Sequence, residues 1–137
     1  MTELKDKFEY GDFLIRNVIG IDEEDKCFSL SDYVRIGKTV QFHIRDALSA
    51  SAELESMLQT AKADLVEAGK AEAQAALVFT CNGRGSWLFQ DPHHDSGMVN
   101  KVLGKLACAG FFAAGEIGSV GDQPYLHGFT ASVAIFE

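Results

Sequence analysis

Apolar positions recur along this chain with several different periods, and each period predicts an element. Residues 13–20 (FLIRNVIG) are apolar on both faces and predict a buried strand, and Cys27, Phe28 and Leu30 start a second, shorter one. Residues 38–45 alternate, with Val40, Phe42 and Ile44 on one side and Thr39, Gln41, His43 and Arg45 on the other, which predicts a half-buried third strand. The period then changes. Leu54, Met57, Leu58, Ala61, Leu65 and Ala68 recur at three and four, the stripe of an amphipathic helix over 51–68 that stops at Gly69. Residues 75–81 form a continuous apolar run and predict a central strand. Met98, Val99, Val102, Leu103 and Leu106 mark a second helix, started by Asp91-Pro92 or by Asp95. From 107 to 136, two apolar runs flank a loop holding Gly115, Gly118, Gly121, Pro124 and Gly128, which reads as a strand, a glycine-rich excursion and a return strand.

The resulting order is β-β-β-α-β-α-β-β. It predicts an α+β domain in two layers, a largely antiparallel sheet with two main helices. Residues 1–12 are a polar lead-in and 13–137 one compact domain. The expected core places Leu77, Phe79, Phe111, Phe129, Val133 and Ile135 beneath the first helix.

Composition narrows the function classes. Of 137 residues, 47% are hydrophobic and 23% charged, an ordinary globular balance. Twelve basic against twenty acidic side chains give a net charge of −8, which opposes general attraction to nucleic acid or an anionic membrane. The run Asp22-Glu23-Glu24-Asp25 reads as a solvated hairpin tip rather than a cation site. Cys27, Cys81 and Cys108 show no CxxC spacing, so no disulfide framework is expected and a reducing, cytoplasmic setting is. The first dozen residues lack the apolar segment of a secretory signal, and no run approaches the roughly 18 apolar residues of a membrane span. Gly37-Lys38-Thr39 suggests a phosphate loop, but Asp32 stands where that motif needs glycine, and a strand pattern follows instead of a helix.

Chemistry concentrates at the loops. Arg84 lies within Asn82-Gly83-Arg84-Gly85, directly after the central strand. Glu116 follows Gly115 where another apolar run ends, and His127 opens the return strand. A small polar ligand with a carboxylate and an ammonium would find a planar guanidinium in Arg84, backbone in Gly83 and Gly85, and an anion in Glu116. Cys81 is the candidate nucleophile of a thiol enzyme, with His127 or His94 as base; its bland reading is a small buried residue ending a strand. His93, His94 and Asp95 are potential metal ligands, but adjacent side chains diverge, and neither a metal nor another cofactor is expected.

Together, Phe79 to Gly85 (FTCNGRG), His94-Asp95, the block from Ala109 to Gly118 (AGFFAAGEIG) and Leu126 to Thr130 (LHGFT) resemble the C-terminal half of FIST proteins. Phe42-His43 and Arg45-Asp46-Ala47 resemble its upstream pattern. The likeness runs from about Phe13 to Phe136. It implies a non-catalytic sensory domain of signal transduction that binds a small ligand, amino acids among the suggested classes. It also implies a partner, either an N-terminal FIST half or a signalling domain; a lone half leaves apolar surface that a homo-oligomer would cover. The expected ligand residues are Arg84, Glu116, His127, Gly83, Gly85, Gly115 and Cys81, converging beside the glycine-rich loop, with no catalytic residue. The alternatives are a protein-interaction or oligomerisation module and a thiol hydrolase using Cys81.

Overall fold

A computed structural model describes residues 8, 12–70 and 72–137. Strands β1 (Val18–Asp22) and β2 (Cys27–Leu30) pair antiparallel. The acidic run forms their turn, and Asp22 Oδ1 accepts the backbone N–H of Glu24 and of Asp25 at 3.0 and 2.9 Å. β1 is exposed along its length rather than buried. The long helix α1 (Ala47–Glu67) follows. Asp46 caps it by accepting the Ser49 N–H at 2.9 Å, and Gly69 leaves it with a positive φ of 64°.

Strand β3 (Ala75–Cys81) comes next, then the short helix α2 (Gly85–Phe89) and helix α3 (His94–Leu103). Strands β4 (Ala107–Ala113), β5 (Glu116–Val120), β6 (Gln123–His127) and β7 (Ala131–Phe136) complete the order. β3 is the middle of a three-stranded sheet ordered β4-β3-β7, parallel to β4 and antiparallel to β7. β5 and β6 form a separate antiparallel hairpin. The class is α+β, and three of the four strand pairings are antiparallel among the described residues.

Residues 38–45, expected to form a third strand, carry no regular structure. Their alternation is real, but a strand needs a neighbour's backbone to bond, and Val40, Phe42 and Ile44 remain exposed. The "glycine-rich excursion" is the β5–β6 hairpin, whose register sets Glu116 opposite His127.

The core lies on one face of the sheet. Leu54 and Leu58 of α1 and Met98, Val99, Val102 and Leu103 of α3 pack with Ala76 and Val78 of β3, joined by Leu106, Cys108, Val133 and Ile135. Burying side chains of this kind contributes roughly 1.5–3 kcal/mol each. Successive strand residues point to opposite faces. Leu77, Phe79 and Phe111 therefore lie on the other face, away from α1, and only Val133 and Ile135 of the expected set reach the helices. Phe129 stands outside the sheet, at the bend before β7, with a φ of 65°. A Cβ added at Gly110 of β4 would land on the Val78 carbonyl oxygen, so glycine is what lets β4 lie against β3 there. No helix among the described residues is long and apolar enough to cross a membrane.

Candidate functional site

The chain leaves β3 through a tight turn, with the Arg84 N–H bonded to the Cys81 carbonyl at 2.9 Å. That turn buries Arg84. Its Nε and Nη2 each donate to Asp95 at 2.8 Å, one to each carboxylate oxygen, and Asp95 is buried as well. A planar fork matched to a carboxylate is the geometry in which such a pair is strongest. Burial pushes the Asp95 carboxyl up in pKa, but the Arg84 and His94 hydrogen bonds, the Arg84 charge and the Thr80 hydroxyl outweigh it and hold it below the ordinary range. The sign follows from linkage. A depressed carboxyl contributes its full stability above its unfolded value, near 3.8, and loses it as pH falls through the lower folded value. Acid unfolding should therefore steepen below that value, and Asp95→Asn should flatten the slope; an unchanged slope in denaturant titrations at stepped pH would contradict the assignment.

His94 extends the network. Its Nδ1 lies 2.9 Å from Asp95 Oδ1 and its Nε2 3.0 Å from the Ser51 hydroxyl. A carboxylate partner makes Nδ1 the donor, which leaves Nε2 to pair with the Ser51 hydroxyl. Serine, histidine and aspartate thus stand in the order of a hydrolase triad. The surroundings do not complete one. Ser51 sits inside α1, where its own N–H and those of its neighbours are spent on helix bonds, leaving no backbone donors for an oxyanion. The Asp95 charge is shared with Arg84, and Phe89 stacks on the imidazole at 3.5 Å. The chain Ser51–His94–Asp95–Arg84 ties α1, α3 and the end of β3 together.

Glu116 is the second buried charged centre, only 2% exposed. Its Oε2 accepts from the Thr130 N–H at 3.3 Å and the Thr130 hydroxyl at 3.0 Å. Its Oε1 is buried with no hydrogen-bond partner. Thr130 in turn bonds β3, its carbonyl accepting the Cys81 N–H at 2.9 Å. The preceding residue, Phe129, carries the Arg45 guanidinium 3.3 Å from its ring centroid. Partial burial lowers the Arg45 pKa, against an opposing effect of Cys81 and with a smaller lowering by the Arg84 charge. The bend at 129–130 thus gathers an unsatisfied carboxylate on one residue and a cation on the other, beside the buried Cys81.

The other predicted residues take definite places. Glu116 and His127 are opposite partners in the hairpin, and His127 Nε2 donates to the Gly118 carbonyl at 3.0 Å. Gly83 lies under the Phe129 ring, where a Cβ would clash. At Gly85 a Cβ would meet the Phe112 ring at 2.8 Å, and at Gly115 the Leu126 side chain at 3.0 Å. The Cys81 sulfur accepts from the Gly83 N–H at 3.5 Å, and neither His94 nor His127 bonds to it. No hydrogen bond or ion pair joins Arg84 to Glu116 or His127 among the described residues. Reasoning from the sequence did not single out Arg45, Asp95 or Thr130 as parts of this arrangement, although all three fall within the blocks that carry the family resemblance. A surface cleft of about 430 Å³, lined by Gln59, Lys62, Ala63, Val66 and Glu67, lies along α1 alone and brings no comparable buried group together.

The FIST C domain family profile matches residues 3–119. Uncharacterized protein Mb0898c of Mycobacterium bovis is 43% identical over 126 residues, covering 92% of this chain and 32% of its own length. Uncharacterized protein Rv0628c of Mycobacterium tuberculosis is 44% identical with the same coverage. The chain thus spans about a third of the length of these relatives. No solved structure matches it significantly.

Proposed function

Because the chain belongs to the FIST C domain family, a family associated with signal transduction, we propose that it is a non-catalytic sensory domain for a small polar molecule bearing an ammonium and a carboxylate, of the amino-acid class, and that it works in the cytoplasm. The observation that carries this reading is the unpartnered Oε1 of Glu116. A buried carboxylate oxygen without a donor is costly, so folding this residue inward makes sense where a ligand N–H completes it. Arg45 supplies the opposite charge from the same bend, and its guanidinium is held on Phe129. Arg84, tied to Asp95, fixes the loop rather than meeting the ligand's carboxylate. The three cysteines are unpaired, which suits a reducing compartment.

The test is a thermal-shift and calorimetry series with free amino acids, simple alkylamines and simple carboxylates. Amino acids should raise the melting temperature by mass action, and each half-ligand less. Glu116→Gln should weaken binding by about 1.5–3 kcal/mol, the scale of a hydrogen bond to a charged group, and leave the fold intact. A flat response to every amino compound, or equal affinity in Glu116→Gln, would overturn the reading.

A further inference from the structure

The β4-β3-β7 sheet has one face under α1 and α3 and the other largely exposed; the β5–β6 hairpin meets that second face at Ser132, whose hydroxyl donates to the Ile117 carbonyl at 2.7 Å. The registers lay out the second face as three rows. Ala107, Ala75 and Phe136 stand side by side at one end, Ala109, Leu77 and Ala134 in the middle, and Phe111, Phe79 and Ser132 at the other end. Phe111 is 64%, Phe136 49% and Leu77 36% exposed. Parallel strand pairs such as β3–β4 occur almost only where both sheet faces are covered.

We propose that this second face pairs with the same face of a second copy, giving a helix–sheet–sheet–helix sandwich. The residues are self-complementary. A two-fold axis running across the strands lays each strand on its counterpart with the ends exchanged. Phe111 then faces Ala107 of the other copy, Phe79 faces Ala75, and Phe136 faces Ser132. Bulk meets a small residue in all three contacts, and Leu77 meets Leu77 at the centre. Stacked sheets lie about 10 Å apart, the spacing that such interdigitation fills. Charge selects the same face. Each copy carries −8, which opposes contact through the acidic surface, whereas these nine positions hold no ionisable side chain. Glu116 and Thr130 are not among the nine positions, so dimerisation and ligand binding are tested by separate variants.

The experiment is light scattering and sedimentation equilibrium on the 137-residue chain and its variants across micromolar concentrations. The wild type should show twice 14.9 kDa, and association should tighten as salt screens the like charges. Phe111→Glu should give a monomer with an unchanged circular dichroism spectrum, while Ile21→Glu, on exposed β1, should remain dimeric. The double variant Phe111→Cys with Ala107→Cys should form an intermolecular disulfide that neither single variant nor the wild type forms; this arm holds even if the glutamate variant folds poorly. A monomeric wild type at the highest concentration would overturn the proposal and leave the face to a different chain. So would a dimer that persists in Phe111→Glu and forms no 107–111 crosslink.

Discussion

Arg84→Ala should lower unfolding stability by about 3–5 kcal/mol, among the largest effects available outside the apolar core, because it leaves the buried Asp95 carboxylate unpaired. The loss should appear as a lower urea midpoint with an unchanged slope. The physics also predicts an asymmetry. Replacing both partners, as in Arg84→Met with Asp95→Leu, removes the attraction and the desolvation penalty together and should cost far less than either single change. A double variant as unstable as the sum of the singles would show that the pair does not act as a unit. The site of this pair explains its reach: Arg84 lies in the turn between β3 and α2, Asp95 in the first turn of α3, and His94 passes the contact to Ser51 of α1.

Gly110→Ala should be at least as damaging, with a loss of about 3 kcal/mol or more, on the scale reached when a backbone position is overfilled. The added methyl would meet the Val78 backbone, and backbone of a central strand cannot swing aside as a side chain can. β4 must then shift away from β3, breaking a parallel ladder of seven paired positions. Gly97→Ala in α3 is the matched control. Its Cβ meets nothing within 4 Å, and the exchange should be neutral or stabilising by roughly 0.5–1 kcal/mol through helix propensity. Comparable losses in both variants would mean that the strand contact does not decide the outcome.

Periodicity made α1 and α3 legible, because each buries one face and writes that face into its sequence; the five-residue α2 is too short to carry such a period. Periodicity misled where an alternating pattern had no neighbour to pair with. Val40, Phe42 and Ile44 alternate as a strand would, yet residues 38–46 run unpaired and deliver Arg45 to Phe129 and Asp46 to the start of α1. The run over β3 also concealed its two faces: seven apolar or near-apolar residues in a row do not say which alternate set meets the helices. At the site, Glu116 was legible from its position between glycines after an apolar run. The fate of Arg84 was not, since its partner lies eleven residues away on a different element and nothing local distinguishes a guanidinium kept for a ligand from one spent on Asp95. Arg45 was assigned to a strand face, and only the bend at Phe129 reveals what it contacts.

The place of β3 has a consequence for biosynthesis. Its partner on one side is β4, which emerges from the ribosome some thirty residues later, but its partner on the other is β7, with Ala75 paired to Phe136. Until β7 docks, one edge of the middle strand presents unpaired N–H and C=O groups, an invitation to foreign strands. Closing that edge requires the whole β5–β6 hairpin to be made first, so the last ladder to form is also the most distant in the chain. Contacts of such separation slow folding, because chain entropy is lost before they form. A chain ended before Ala131 should consequently keep that edge open and aggregate, whereas the 137-residue chain closes it.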